Sequence, residues 1–154
     1  MPKPVDSQIL DQIVEQLGAI QTPEYSHDVE DVLRYSSEGA QPKYPGIVVI
    51  AGDRRKIGED SGRVEWEMDV HLDCYVLHDP ETDARTSDEV MSEFESDVHN
   101  AIMADRQLAG LATLAEVVSF APLPVTANAG HEINVVIGLR VQFKHKVEDA
   151  REQF

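Results

Sequence analysis

Hydrophobic and polar residues alternate most regularly between residues 64 and 76. Seven apolar side chains occupy every second position, and the positions between them are mostly charged. A period of two over thirteen residues predicts a long β-strand with one face on a core, because successive strand side chains point to opposite sides. The apolar set is Val64, Trp66, Met68, Val70, Leu72, Cys74 and Val76, and the polar set is Glu65, Glu67, Asp69, His71, Asp73 and Tyr75.

Two other segments carry apolar residues at helical spacing. The first helix is predicted to begin at a cap, Asp6 or Ser7, and to end at Gly18. The second is predicted to begin at Ser87 or Asp88 and to break within residues 105–110. The predicted buried stripes are Ile9, Leu10, Ile13, Val14 and Leu17 in the first helix, and Val90, Met91, Phe94, Val98, Ala101 and Ile102 in the second; the outer face of the second is predicted to carry Glu89, Glu93, Glu95 and Asp97.

The remaining apolar segments predict strands. Weak alternation spans residues 25–35, an apolar β-branched run spans 46–51, and further strands are expected at 114–120 and 133–147. Proline and glycine predict loops at 36–45, 52–63 and 122–130. This pattern predicts an α+β fold, a mostly antiparallel sheet of about four to five strands with two helices packed on one face. The expected core is Trp66, Met68, Val70, Leu72, Phe94, Val98, Ile137 and Leu139.

Complementary charges predict that the long strand and the last strand are neighbours. Acidic side chains line the polar face of the former, and basic side chains line the polar face of the latter. Opposite charges on adjacent antiparallel strands favour pairing by up to about 1 kcal/mol each. The acidic set is Glu65, Glu67, Asp69 and Asp73, and the basic set is Arg140, Lys144 and Lys146.

Length and composition fit one domain. The 154 residues are 42% hydrophobic, and no apolar run approaches the roughly 20 residues of a membrane span. The first residues lead into an amphipathic segment, so no signal peptide is predicted. The single cysteine excludes an internal disulfide. We expect one domain over residues 1–154, with short flexible ends at 1–5 and 148–154.

The charge balance is strongly acidic. The chain has 29 Asp and Glu residues against 13 Lys and Arg residues, a formal net charge of −16. Such a surface repels nucleic acid and anionic membranes, because binding to either depends on basic side chains. Two interpretations stay open: the charge keeps the protein in solution, or it lies on one side and complements a partner.

Candidate chemistry is sparse. Asp69, His71 and Asp73 share one strand face at a spacing that suits metal ligands, but the acidic row continues beyond them, and we expect a polar sheet face. His27-Asp28 and His78-Asp79 have no evident catalytic partner, and the Gly-x-Ser-x-Gly turn of many hydrolases is absent. Cys74 and Trp66 lie on the apolar strand face and are expected in the core. The sequence predicts no catalysis and no cofactor.

A basic triplet, Arg54-Arg55-Lys56, runs against the overall charge. It is either a solvated hairpin tip or part of a loop that reaches an acidic partner or passing DNA. Together with Arg63, these residues are the candidate protein-interface residues.

The order of these elements resembles the lambda-like tail terminators, or tail-completion proteins, of long-tailed bacteriophages. The likeness covers nearly the whole chain and lies in four segments: the capped first helix, the Tyr44-Pro45-Gly46 entry to an apolar strand, the alternating strand that ends at Asp79-Pro80, and the helix that runs into residues 105–111. The strand at 114–120 and the final strand at 133–147 close the chain as in that family.

The resemblance implies a structural virion protein. Such proteins form a ring, usually a hexamer, that caps the tail tube, ends its polymerisation and presents a surface to the head–tail connector protein. The implied location is the tail–neck junction of the virion and, during assembly, the host cytoplasm. The genome would pass through the ring without specific binding. Two alternatives remain: another phage neck or connector component, and a small ligand-binding or hydrolytic domain that uses the face around His71.

Overall fold

The computed structural model describes residues 3–36, 39, 42–123 and 132–151. The predicted α+β fold is confirmed: two helices cover one face of a five-stranded, mostly antiparallel sheet. The elements are α1 (Val5–Gly18), β1 (Asp31–Arg34), β2 (Gly46–Asp60), β3 (Arg63–Leu77), α2 (Ser87–Met103), β4 (Leu114–Pro122) and β5 (Glu132–Lys146).

The strands follow the order β1-β2-β3-β5-β4 across the sheet. The β1 strand runs parallel to β2, and the other neighbours are antiparallel. The predicted pairing of the acidic and basic strands is confirmed, since Glu65 lies opposite Lys144 and Asp69 lies opposite Arg140. Helix α1 packs on β1 and β2, whereas α2 packs on β4 and β5.

The core lies between the helices and the sheet. The apolar face of β3 is buried as its alternation predicts, and it meets the apolar face of β5 and the stripe of α2. Seven of the eight residues predicted for the core are buried: Met68, Val70, Leu72, Phe94, Val98, Ile137 and Leu139. Trp66, near the start of β3, is only partly buried and packs against the edge of the core.

The predicted end of α1 at Gly18 and the predicted start of α2 at Ser87 are confirmed, whereas the predicted cap of α1 at Asp6 or Ser7 is wrong. Helix α1 begins at Val5 with Pro4 as N-cap and no side-chain cap, and α2 is capped by Thr86, whose hydroxyl accepts from the Glu89 N–H at 3.2 Å. The predicted break after α2 is confirmed, and Leu108, Ala109 and Gly110 all have positive φ. The weak alternation at residues 25–35 forms a strand only over Asp31–Arg34. The predicted loop at 122–130 lies mostly outside the described residues.

The first and last described segments meet each other. Val5, which we predicted to end a flexible segment, is buried in the first turn of α1. Its N–H donates to the carbonyl of Ala150 at 3.0 Å, and the Val147 N–H donates to the carbonyl of Gly62 at 2.9 Å. Residues 147–151 therefore pack beside the start of α1 and the β2–β3 turn.

Candidate assembly interface

The segment predicted as a loop at 52–63 is instead the outer half of a β-hairpin. Strand β2 continues to Asp60 and strand β3 begins at Arg63, so only Ser61 and Gly62 form the turn between them. Alternation was absent from this stretch because both of its faces are exposed to solvent, so no hydrophobic face marked it as a strand. The prediction of a flexible loop was therefore wrong, and the alternative of a hairpin tip describes the structure better.

The hairpin extends beyond the helices. Strands β2, β3 and β5 each have 15 residues, which corresponds to about 50 Å at roughly 3.3 Å per residue. The 17 residues of α2 span only about 25 Å at 1.5 Å per residue. Residues 52–68 of the hairpin and 140–146 of β5 form the three-stranded end of the sheet that α2 does not reach, which we call the arm; Met68, Val141 and Phe143 at its base still belong to the core.

Each residue of the basic triplet has an acidic partner within the same chain. Arg54 pairs with Asp6 at the start of α1, and Lys56 pairs with Glu59, three residues further along β2. Arg55 donates from Nε to Glu67 at 2.8 Å and from Nη2 to Asp69 at 3.2 Å. These cations are about half exposed, so the pairs contribute little to stability but hold the side chains in defined positions.

A row of alternating charges crosses the side of the sheet that carries no helix, which we call the open face. Glu67 and Asp69 on β3 lie between Arg55 on β2 and Arg140 on β5, whose Nε is 3.5 Å from Glu67 and 3.8 Å from Asp69. Hydrogen bonds from Arg55, more than any other contact, lower the pKa values of both carboxyls. Gln142 also donates to Glu67 at 3.2 Å. The row therefore stays fully ionised near neutral pH.

Two irregularities bend β2 where the arm begins. The register with β3 shifts between Ala51 and Arg54 and again between Lys56 and Gly58. Gly52 lies at the first shift, and a Cβ there would come within 2.9 Å of the Asp69 carbonyl oxygen. Bulges of this kind increase the local twist of a strand and disfavour pairing along its free edge. The outer edge of β2 is thus both charged and irregular.

Arg63, the remaining candidate residue, opens β3 directly after the turn. It is exposed and lies opposite Lys146 of β5 in the register. The tip of the arm therefore brings two basic residues together on neighbouring strands. All four candidate residues, Arg54, Arg55, Lys56 and Arg63, lie on the arm, although Arg55 points to the open face and Arg54 points toward α1.

An apolar recess lies on the helix side at the base of the arm. Trp66 and Phe143 form its floor, and Pro4 and Ala150 lie at its margin, around a volume of about 330 Å³. The Trp66 Nε1–H donates to Nε2 of His145 at 2.9 Å, while the His145 ring also contacts the Lys146 carbonyl through Nδ1 at 2.7 Å. Because tryptophan can only donate and a carbonyl can only accept, this geometry fixes the neutral Nδ1–H tautomer.

A second recess lies on the open face beside β1. Its volume is about 220 Å³, and Asp73 and Tyr75 of β3 contribute its polar groups. The Tyr75 hydroxyl donates to one oxygen of Asp73, while the other oxygen, Oδ1, is buried without a hydrogen-bond partner among the described residues. Burial, reinforced by this hydrogen bond, raises the pKa of Tyr75 well above its ordinary value of 10.0.

The residues considered for metal binding or catalysis are dispersed. His71 is exposed on the open face, and the described residues contain no group of three or more His, Cys, Asp or Glu side chains arranged to hold a metal. Both nitrogens of the buried His78 are engaged, Nε2 with the Arg85 carbonyl at 2.9 Å and Nδ1 with the Ser87 hydroxyl at 3.3 Å. Cys74 is buried as predicted, and burial raises the pKa of its thiol well above 9.0.

The second helix also holds a buried acid that the sequence analysis placed on its outer face. Asp97 is 4% exposed. It accepts from the Ser26 N–H at 3.0 Å and from His27 Nδ1 at 3.0 Å. The hydrophobic pattern of α2 did not reveal this burial, because an aspartate is expected to face solvent even where its position on the helix faces the core. The partner, His27, had been noted only as part of an isolated His-Asp pair.

Comparison with models of known protein families gave no match, and a search of curated protein sequences found no significant relative. None of the described helices is long and apolar enough to cross a membrane. The function therefore has to be argued from the arm, the open face and the edges of the sheet.

Proposed function

We propose that this chain is a structural ring protein of a long-tailed bacteriophage, the terminator that caps the tail tube. The arm is the observation that carries the proposal. It is the three-stranded end of the sheet, and the side chains of its β2 strand are largely exposed, whereas Val64, Met68, Val141 and Phe143 on its other two strands are buried. An extension of this size presents far more ordered surface than a domain needs to close its own core, which is typical of a subunit that reaches a neighbour.

The charge distribution supports the same proposal. Most of the −16 charge lies outside the arm, which carries the basic triplet and Arg63. A ring of such subunits would line its channel with negative charge, and DNA would pass without adhering to the wall. The cations of the arm, which are about half exposed, would exchange or share their intramolecular partners with acidic protein surfaces, either another subunit or the end of the tube.

The proposal implies particular partners. They are further copies of this chain in a ring, the hexamer being the expected form, the tail tube protein on one side and the head–tail connector protein on the other. The protein would act without catalysis or cofactor, at the tail–neck junction of the virion. Another neck or connector component would share the ring but not the ability to end the growth of the tube.

Tube growth in an assembly mixture tests the proposal. Adding this protein to polymerising tail tube protein is expected to stop growth and leave a ring on one end, visible by negative-stain microscopy. The variant Arg54→Gln/Arg55→Gln/Lys56→Gln should fold yet cap poorly, because neutralised contacts slow encounter and weaken affinity. The matched control is Arg34→Gln/Lys43→Gln/Arg85→Gln, which removes the same charge outside the arm. Tubes of unchanged length with the wild-type protein would rule out a terminator.

A further inference from the structure

We propose that the outer edge of β4, together with the flank of α2 beside it, receives the arm of a second copy of this chain. This inference rests on the proposed ring function and gives the ring its contact. The β4 strand is the last in the sheet order, and no further strand of the described residues pairs with it. Within the described part of the chain, the only backbone hydrogen bond on this edge is at its start, where the Ala115 N–H donates to the Arg106 carbonyl at 2.8 Å.

The rest of this β4 edge is unusually apolar. Val118, Phe120 and Leu123 are 46%, 43% and 45% exposed. Glu116 is the only charged residue in Leu114–Pro122, in a chain where 27% of residues are charged. Proteins normally protect a free edge with charges, bulges or very short strands, since an unprotected one invites association. The β4 strand has one of these protections, a register shift between Val117 and Ser119, whereas the other free edge has all three: the basic triplet, two register shifts and a four-residue β1.

The flank of α2 next to β4 carries an unpaired carboxylate. Glu95 is two positions from Asp97, so the two side chains project about 200° apart around the helix. Because Asp97 faces the segment between α1 and β1, Glu95 faces the β4 side. The described residues provide it with no hydrogen bond or ion pair, and partial burial raises its pKa. A desolvated carboxylate without a partner favours a cation brought by another molecule.

The arm of a second copy supplies what this surface lacks. It presents the apolar Ile57, which is 44% exposed, and seven of the chain's 13 basic residues against five acidic ones. Helix α2 has five acidic residues and no Lys or Arg, so charge complementarity between arm and helix is strong. The arm cannot reach the β4 edge of its own chain, because β3 and β5 lie between them. The contact is therefore head-to-tail, the geometry that closes rings.

Cysteine cross-linking tests the contact. Ile57→Cys and Phe120→Cys are introduced together, while Cys74 is buried and its thiol stays protonated. Within one chain the two new cysteines lie at least three strand spacings apart, about 14 Å, too far for a disulfide. Mild oxidation of the double variant should give a ladder of covalent multimers under denaturing electrophoresis. Each single variant should remain monomeric, and efficient Phe120→Cys dimers would instead indicate symmetric edge pairing and overturn the proposal.

A charge test distinguishes this contact from a general effect on folding. Glu95→Lys should weaken self-association at least about tenfold in sedimentation velocity, the scale of one lost close contact. Glu89→Lys makes the same change elsewhere on α2 and should have little effect, and urea unfolding checks that both variants fold. Equal association of both variants, or wild-type protein that stays monomeric at every concentration, would overturn the contact. The terminator proposal is tested separately, by the length of the tubes in the assembly mixture.

Discussion

Asp97 on α2 and His27 before β1 form a buried pair, with His27 Nδ1 3.0 Å from the Asp97 carboxylate. The same carboxylate accepts the Ser26 N–H, and the His27 ring packs edge-on against Phe94 at 5.2 Å between centroids. The pair therefore joins the segment that follows α1 to the middle of α2. It does so with hydrogen bonds in a region otherwise held by apolar contact.

Removing this acid should destabilise the fold. We expect Asp97→Ala to lower the free energy of unfolding by about 2 kcal/mol, because it leaves two partly buried N–H donors without their acceptor. Asn100→Ala, on the exposed side of the same helix, should change it by less than about 0.5 kcal/mol. Urea unfolding followed by circular dichroism measures both values. Equal effects of the two substitutions would show that the buried pair contributes nothing specific.

Two phenylalanines offer a matched test of the core and the β4 edge. Phe94 is fully buried, and Phe94→Ala should cost about 3–5 kcal/mol of unfolding free energy. Phe120 is 43% exposed, and Phe120→Ala should cost less than about 1 kcal/mol in the monomer. A loss under about 1 kcal/mol at Phe94 would mean that the sheet and α2 do not share a core.

The ion pairs on the open face predict how the stability of the fold depends on pH. Asp69 and Glu67 have folded-state pKa values below their ordinary 3.8 and 4.5, chiefly through Arg55. A lowered pKa adds stability that is present above the ordinary value and is lost as the pH falls through the folded value. Arg55→Gln should therefore reduce stability at pH 6, and the difference from the wild type should shrink as the pH falls through the folded-state pKa values of the two carboxyls. Parallel stability curves for variant and wild type over this pH range would contradict this assignment.

For Glu95, the predicted dependence of stability on pH has the opposite sign. Burial raises its pKa above 4.5, so the folded state holds the proton more tightly than the unfolded state does. Its ionisation thus destabilises the monomer at neutral pH, and Glu95→Gln should raise the thermal midpoint of the isolated chain at pH 7. At pH 3, where the acid is protonated in both states, the gain should vanish. A lower midpoint at pH 7 would mean that the charged form is stabilised within the chain.

The sequence predicted the parts of this fold that depend on a sharp contrast between core and solvent. The period-two pattern of β3 and the stripe of α2 identified their buried faces, and the opposite charges on β3 and β5 identified neighbouring strands. The arm was missed because residues 52–60 have no buried face, so their conformation depends on backbone pairing with residues 63–70. Asp97 was missed because its burial depends on His27, seventy residues away in the chain.

The candidate interface was only partly predictable for a similar reason. The positive charge of Arg54, Arg55 and Lys56, in a chain that is acidic overall, was visible in the sequence. Their intramolecular partners Asp6, Glu67 and Asp69 were not. The exposure of β4 was not predictable either, since whether an apolar strand is central or at an edge depends on the strand order. Here β5 is inserted between β3 and β4, which leaves β4 outermost.

The difference between the two edges of the sheet gives the molecule a direction. If the irregular, charged edge of β2 belongs to the donor side and the apolar edge of β4 to the acceptor side, any open string of copies has one unused acceptor at its end. Only a closed ring has no unused acceptor edge. Incomplete rings would then be the aggregation-prone species, and the angle at which the bulged β2 leaves the sheet would decide how many copies close. A side chain at Gly52 would clash with the Asp69 carbonyl, so substitutions there are expected to change the path of β2 and with it the number of subunits in the ring.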